Sequence, residues 1–385
     1  MHICFVGEGI HPPWIRGHQS LTRELISCLK GRATISLVTT RMPQGSQYTS
    51  QFSEFAKQID NLIEVKSSRN LYLSYLRLSN ACIRFAKENK VDIVHLTGID
   101  AGVFVILKKL SKLSKFKIIR QYLLPPPEER APTVFTLFLL YFIYSRFIDG
   151  FVTTSPIVKE WLSKKVNSKK VFFIPLPIDC EFFRPLENSR LISNESMRTI
   201  LYMGSLSQKR FPLSVLQSIK ILKDRGMNIL LLIVGRYDSE YSKDWLKKIR
   251  KTTAELDLKD NVKIEIKALS EIEKLNLYNS VDAVIFPFER DIEVTDPPIT
   301  LLEAMRCGRI VLAPKIHSIP WLIDHGVNGF LLDSLKAEEI AEKIEFGLNS
   351  PWNDISRCAR DTIKKHFSKE EVTEDLFNLY QSFLK

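Results

Sequence analysis

No C-x-x-C pair, no cysteine–histidine spacing of a zinc site and no apolar run of the ~20 residues that cross a bilayer occurs in this sequence. The six cysteines (Cys4, Cys28, Cys82, Cys180, Cys307 and Cys358) are scattered. That argues against a disulfide framework or structural zinc and for a reducing, cytoplasmic compartment. Low-complexity tracts and repeats of solenoid or propeller period are missing, which excludes fibrous and repeat architectures. So are zinc-finger, RNP-like aromatic and helix-turn-helix signatures, and with them the common nucleic-acid modules. No Asp-x-Asp cluster suited to Mg²⁺ stands out in either half. The first residues, MHICFVGEG, read as a buried strand and not as a secretory signal.

What is present is an ordinary globular composition, 45% hydrophobic and 26% charged, in a chain of 385 residues. That length is enough for two domains with sizeable cores. The net charge of +11 is unevenly placed. Residues 1–190 carry 27 Lys and Arg against 15 Asp and Glu, or +12, and residues 191–385 carry 28 against 29, or −1. Basic clusters stand at Lys108, Lys109, Lys112, Lys115 and Lys117, and at Lys164, Lys165, Lys169 and Lys170. A solvated basic face is the plain explanation; an anionic membrane surface is the functional one, and no nucleic acid is expected. The segment 133–148, TVFTLFLLYFIYSRFI, is apolar almost all round but too short to span. It is either a buried helix or one partly sunk into the membrane interface or lining an apolar acceptor groove.

Apolar runs near 3–7, 34–39, 62–66, 91–96, 116–122, 150–154 and 171–174 alternate with helical patterns such as 18–30. This alternation with short loops predicts an α/β fold with a doubly wound parallel sheet. Polar and turn residues at 180–197 interrupt it as a linker. A second series then begins with TILYMG, a helix over 212–225 and NILLLIVG, and continues with VDAVIFP and RIVLAP. Ser368 and Glu371 form a capping box for a last helix to about 384. The expected domains are 1–185, 186–367 and a terminal helix, 368–385, packing back on the first. In open α/β sheets ligands bind beyond the carboxyl ends of the strands, so the loops there should carry the chemistry.

The most informative stretch is 295–314, TDPPITLLEAMRCGRIVLAP. Pro297 and Pro298 suit the first positions of a helix, with Thr295 and Asp296 as caps and Gly308 as the stop. The free N–H groups near Ile299, Thr300 and Leu301 would attract phosphate, and Glu303 close behind could hold a ribose hydroxyl pair. The plain alternative is a capped helix with a glutamate on its exposed face. After the strand at 199–203 comes GSLSQKRF: Gly204 gives a tight exit, and Lys209 with Arg210 is either a phosphate-binding pair or a surface basic pair. Gly235 with Arg236 ends another strand. Gly7, Gly9 and Gly17 follow the first strand and would let backbone approach a ligand, although their spacing is not the G-x-G-x-x-G fingerprint.

DGFVTTSPIVKEWL, VFFIPLPIDCEFFRP, ILYMGSLSQKRFPL, LLLIVGR, LYNSVDAVIFPF, ITLLEAMRCGRIVLA and VNGFLL occur in that order. By these landmarks almost the whole chain resembles the retaining, nucleotide-sugar-dependent glycosyltransferases of GT-B fold, glycosyltransferase family four. The resemblance implies two Rossmann-like domains facing across a cleft, the first binding the acceptor and the second the donor. It implies a metal-independent hexosyltransferase of polysaccharide or glycoconjugate biosynthesis, with no cofactor beyond the nucleotide-sugar substrate. With the basic first half and the apolar segment 133–148, a glycan or lipid-linked acceptor is expected, with the enzyme peripheral on the cytoplasmic face of the membrane through its basic N-terminal domain. Glu303 would hold the ribose, Arg210 and Lys209 the diphosphate, and the N–H groups of Ile299 to Leu301 would complete the phosphate cradle. Gly7, Gly9 and Gly17 would approach the donor from the other side.

The chain departs from the family pattern at several places. Thr295 stands where a second glutamate is usual, with Asp296 as a stand-in for sugar hydroxyls. Ser205 replaces an arginine after Gly204, and two prolines replace part of a glycine-containing turn. Gln121 and Tyr122 occupy the neighbourhood of a family histidine, leaving His95 as a catalytic candidate or a structural histidine. Transfer to a soluble acceptor, sugar-nucleotide epimerisation and a degenerate nucleotide-binding partner subunit are the competing readings.

Overall fold

The computed structural model describes residues 1–14, 16–99, 101–110, 115–123, 145–187, 197–237, 240–289 and 294–385. The apolar segment 133–148 lies outside these but for 145–148, as does Lys112. The chain divides into two units, Met1–Pro177 with Lys369–Lys385, and Ile178–Ser368.

The first unit is built on a parallel seven-stranded sheet of order β3-β2-β1-β4-β5-β6-β7. Its strands are β1 (His2–Gly7), β2 (Thr34–Thr40), β3 (Asn61–Val65), β4 (Ile93–Leu96), β5 (Lys117–Tyr122), β6 (Gly150–Thr153) and β7 (Val171–Phe173). Helices α1 (Gly17–Leu29), α2 (Thr49–Ala56), α3 (Leu71–Glu88), α4 (Ala101–Leu110) and α5 (Pro156–Ser163) connect them. β1 is central because it is apolar on both faces: Ile3, Cys4, Phe5 and Val6 are wholly buried. A parallel sheet covered by helices on both sides demands this pattern. Each such large side chain contributes about 2 kcal/mol of burial.

The second unit repeats the plan with six parallel strands ordered β10-β9-β8-β11-β12-β13. They are β8 (Arg198–Ser205), β9 (Ile229–Arg236), β10 (Val262–Ile266), β11 (Ala283–Ile285), β12 (Ile310–Pro314) and β13 (Phe330–Leu332). Its helices are α6 (Ser214–Asp224), α7 (Glu240–Glu255), α8 (Glu271–Asn279), α9 (Ile299–Arg306), α10 (Ile319–Leu322), α11 (Ala337–Asn349) and α12 (Trp352–Phe367). In each sheet the strand order reverses once, between β1 and β4 and between β8 and β11. Such a switch point opens a crevice at the carboxyl ends of the strands.

The division falls at 177/178, not at 185/186, because the turn after β7 is fastened to the second unit. Arg306 donates to the Cys180 carbonyl at 2.8 Å, and the Asn279 amide bridges the Arg184 carbonyl and the Leu186 N–H. The chain leaves that unit beside its entry, where the Ile178 N–H donates to the Phe367 carbonyl at 2.7 Å. The terminal helix, α13 (Lys369–Ser382), then belongs to the first unit, with Lys369 paired to Glu24 on α1 at 2.9 Å. Just past it, Phe383 presses on Gly150, leaving no room for a Cβ there.

His95, a catalytic candidate by sequence, is corrected by this packing. It is wholly buried in β4, stacked on Phe5 at 5.3 Å between ring centroids. One ring nitrogen meets the Tyr380 hydroxyl of α13 and the other Gln121 on β5 at 3.2 Å. Both nitrogens are engaged inside the core, so this histidine holds α13 to the sheet. Burial pushes its pKa down to about 3. A neutral histidine in the folded state and an ordinary one in the unfolded state, near 6.5, bind protons unequally. The stability it supports is complete above pH 6.5 and is lost as pH falls toward 3. Unfolding in urea should show a loss of about 2 kcal/mol at pH 5 relative to pH 7 from this group. His95→Gln should flatten that slope; an unchanged slope would contradict the assignment.

Candidate functional site

The site is built where β8 and β11 end. Gly204 and Gly235 are register partners on β8 and β9. A Cβ on Gly235 would stand 2.7 Å from Leu206, and one on Gly204 would stand 3.1 Å from the Tyr202 hydroxyl. The two glycines therefore let the chain leaving β8 fold tightly across the strand ends. The Tyr202 hydroxyl donates to the Ser205 carbonyl at 2.6 Å, which fixes buried Ser205. A turn follows, with the N–H groups of Arg210 and Phe211 both donating to the Ser207 carbonyl. Phe211 is buried, and its carbonyl accepts from the Trp245 indole at 3.0 Å. This anchoring displays Lys209 exposed and Arg210 half-buried on a rigid backbone. The Glu289 N–H donates to the Lys209 carbonyl at 2.8 Å, so the loops after β8 and β11 are tied together at the switch point.

The chain from β11 continues into α9, and here the structure corrects the expected capping. The helix begins at Ile299, with Pro298 at the N-cap and no side-chain cap. Thr295 is half-buried and Asp296 is 1% exposed. The Asp296 carboxylate accepts from the backbone N–H of Ser318 at 3.0 Å and from its hydroxyl, which orders the start of α10. It is thus taken up internally and does not face out as a stand-in for the missing glutamate. The first helical bonds run from Leu301 and Leu302 to the Pro298 carbonyl, leaving the N–H groups of Ile299 and Thr300 at the positive end of the helix. Gly308 closes the helix at φ +70, as the sequence suggests.

Glu303 is not on an exposed face: it is 2% exposed. Its Oε1 accepts from Lys274 at 2.7 Å and its Oε2 from the Tyr278 hydroxyl at 2.9 Å. Lys274 also reaches Glu271 at 3.0 Å and lies over the Phe183 ring at 5.5 Å. Burial pushes the Glu303 carboxyl up from its ordinary value, and the Lys274 ammonium opposes that rise. Burial works to lower the Lys274 ammonium, but Glu303 and Glu271 together outweigh it and hold it above its ordinary range. Sequence reading passed over Glu271, Lys274 and Tyr278. Their i, i+3 and i, i+4 spacing puts the lysine and tyrosine on one helical face with an acid one turn before.

The glycines of the first unit have local explanations. A Cβ on Gly7 would stand 2.5 Å from the Thr97 carbonyl, and Gly9 sits at φ +65 with its N–H held by Thr40. Gly17 is the first residue of α1. Among the described residues no group of three His, Cys, Asp or Glu side chains converges as a metal site.

Two doubly wound parallel sheets make the class of fold, the GT-B arrangement, which solved glycosyltransferase structures share. A glycosyltransferase from Rickettsia africae matches at TM-score 0.77, with 19% identity over 100% of this chain and 98% of that one. Anabaena HepE in complex with UDP matches at 0.78, with 16% identity over 99% and 100%. Residues 184–365, nearly the whole of the second unit, match the model of the family Glycosyl transferases group 1. Staphylococcus aureus CapM, a capsular polysaccharide biosynthesis glycosyltransferase, is 26% identical over 48% of this chain and 46% of its own length. The lipopolysaccharide 1,2-N-acetylglucosaminetransferase of Salmonella typhimurium is 26% identical over 60% and 58%. The chain thus spans about half the length of the curated relatives it matches.

The buried carboxylate should depend on its tyrosine. Tyr278→Phe removes one charge-assisted hydrogen bond and should lower the stability of the protein by about 2 kcal/mol. Equilibrium urea unfolding at neutral pH measures this, and a loss under a few tenths would contradict the bond.

Proposed function

We propose that the protein is a glycosyltransferase moving a hexosyl unit from a nucleotide diphosphate sugar to a glycan or lipid-linked acceptor at a membrane surface. Transfer proceeds with retention and without a metal ion or other cofactor. The observation that carries this reading is the Lys209–Arg210 turn, hydrogen-bonded to the loop after β11 at the switch point of the second sheet. Helix α9, which carries Glu303, follows that same loop in the chain.

When the bond from the anomeric carbon to the diphosphate oxygen breaks, negative charge grows on the diphosphate. Lys209, Arg210 and the N–H groups of Ile299 and Thr300 are suited to stabilise it as fixed, charge-assisted donors. Glu303 accepts the ribose hydroxyls. In a front-face course the acceptor oxygen bonds to the anomeric carbon on the side the diphosphate leaves, and the acceptor proton passes to the departing phosphate oxygen. No enzymic nucleophile is then needed.

Membrane contact is supported by the charge of the first unit and by α3. Residues 65–87 contain Lys66, Arg69, Arg77, Arg84 and Lys87 and no acid. Leu71, Tyr72, Leu73 and Leu76 are exposed on the first turns of that helix. Apolar side chains flanked by cations favour an anionic bilayer surface. No helix of the described residues is long and apolar enough to cross one. The capsular and lipopolysaccharide roles of the relatives agree with an acceptor held there, and the free thiols of all six cysteines suit the cytoplasmic face.

A melting-temperature screen of UDP- and GDP-sugars should identify the donor, which is then assayed with lipid extracts. Lys209→Ala and Arg210→Ala should each lower kcat by about 100- to 1000-fold. Full activity in both variants would refute the site. Co-sedimentation with anionic liposomes should fall steeply between low and high salt, and Leu73→Glu/Leu76→Glu should abolish it. Transfer and sedimentation unaffected by either would favour a soluble acceptor.

A further inference from the structure

Resting on the reading of Glu303 as the ribose acceptor, we propose that Lys274 is a positioning residue for donor binding: it keeps Glu303 ionised and aimed so that both carboxylate oxygens accept from the ribose diol. A carboxylate only 2% exposed cannot hold its charge without a partner, since uncompensated burial favours the protonated form. Lys274 supplies that partner at 2.7 Å on Oε1, and Tyr278 fixes Oε2 at 2.9 Å. Each oxygen can accept a second hydrogen bond, so the lysine and tyrosine orient the carboxylate without exhausting it. Glu271, 3.0 Å from the ammonium on its more exposed side, holds the lysine in place from one turn earlier on α8.

The groups acting on Glu303 are few. Glu271, Lys274 and Tyr278 come from α8, and Cys307 lies one turn on along α9. Arg306 of α9 is turned to the Cys180 carbonyl, and Arg360 of the neighbouring α12 donates to Ser356 at 2.8 Å. Removing the lysine therefore leaves Glu271 as the nearest charge, and it raises the Glu303 carboxyl further. A protonated Glu303 has lost one acceptor for the diol and carries a proton that competes for the other. Donor affinity should fall at neutral pH and recover as pH rises and the carboxylate re-forms.

The test compares UDP and GDP with their 2′-deoxy forms by calorimetric titration of the full chain. Wild type should prefer the ribose form. Lys274→Met should bind the ribose form about ten-fold more weakly at pH 7 and prefer it little over the deoxy form. Both properties should return between pH 8 and 9, and Lys274→Arg should retain them at pH 7. In turnover, KM for the donor should rise and kcat stay within about two-fold. If Lys274→Met does not fold, Lys274→Gln keeps a donor to Oε1 without the charge and should show the same pH recovery. Ribose preference in Lys274→Met or Lys274→Gln equal to wild type at pH 7, or a loss without pH recovery, would overturn the role of Lys274. Ribose preference unchanged in Glu303→Gln, or no binding of either nucleotide by wild type, would instead overturn the underlying reading of Glu303 and this inference with it.

Discussion

Every candidate feature follows from one constraint: strands laid parallel end at the same edge of their sheet. In the second unit β8 and β11 are neighbours at the reversal of strand order, so the chains leaving them diverge and leave a crevice. The Glu289–Lys209 backbone bond closes the base of that crevice. The helix that must follow β11 to return the chain for β12 presents its amino end there. Cations and helix amides thus share an edge through topology before any side-chain chemistry is considered. The first unit has the same order in its first six strands, and its switch-point loop is packed by Thr39 and Thr40 of β2, Thr97 just past β4 and Gln19 of α1 around Gly7, Gly9 and Ile10.

A second constraint is electrostatic. Glu303 lies in a stretch of helix buried all round, with Leu301, Leu302, Ala304 and Met305. A charge in that setting requires compensation, and α8 supplies it with a lysine and a tyrosine spaced one turn apart. The pair adds little net stability over an apolar substitute of equal shape. On the proposed reading, its value is that an anionic acceptor is kept one turn from the amino end of α9, where burial alone favours the protonated carboxyl.

The alternation of apolar runs and helical patterns made both sheets legible, because strands buried on two faces read as unbroken apolar stretches such as ILLLIV. Gly204, Gly235 and Gly308 were legible because turns and close approaches demand glycine. Three features were not. The partners of Glu303 lie in a helix separated from it by a strand, and periodicity alone does not say which faces meet. Asp296 read as a helix cap and a stand-in for a missing glutamate, yet Ser318, 22 residues on, takes up its carboxylate. His95 read as either a catalytic candidate or a structural histidine, and its partner Tyr380, which decides for the second, arrives from 285 residues away. In each case a long-range contact, invisible to local sequence, decides the role.

The central claim is that the second unit grips a diphosphate with Lys209, Arg210 and the amino end of α9, and the ribose with Glu303, needing no divalent ion. A crystal structure of the protein with its nucleoside diphosphate, grown in the presence of a chelator, tests it most directly. The account predicts the diphosphate oxygens on those cations and on the N–H groups of Ile299 and Thr300, with the ribose hydroxyls on the Glu303 carboxylate. A diphosphate lodged elsewhere, or one bound only when magnesium is restored, would contradict it.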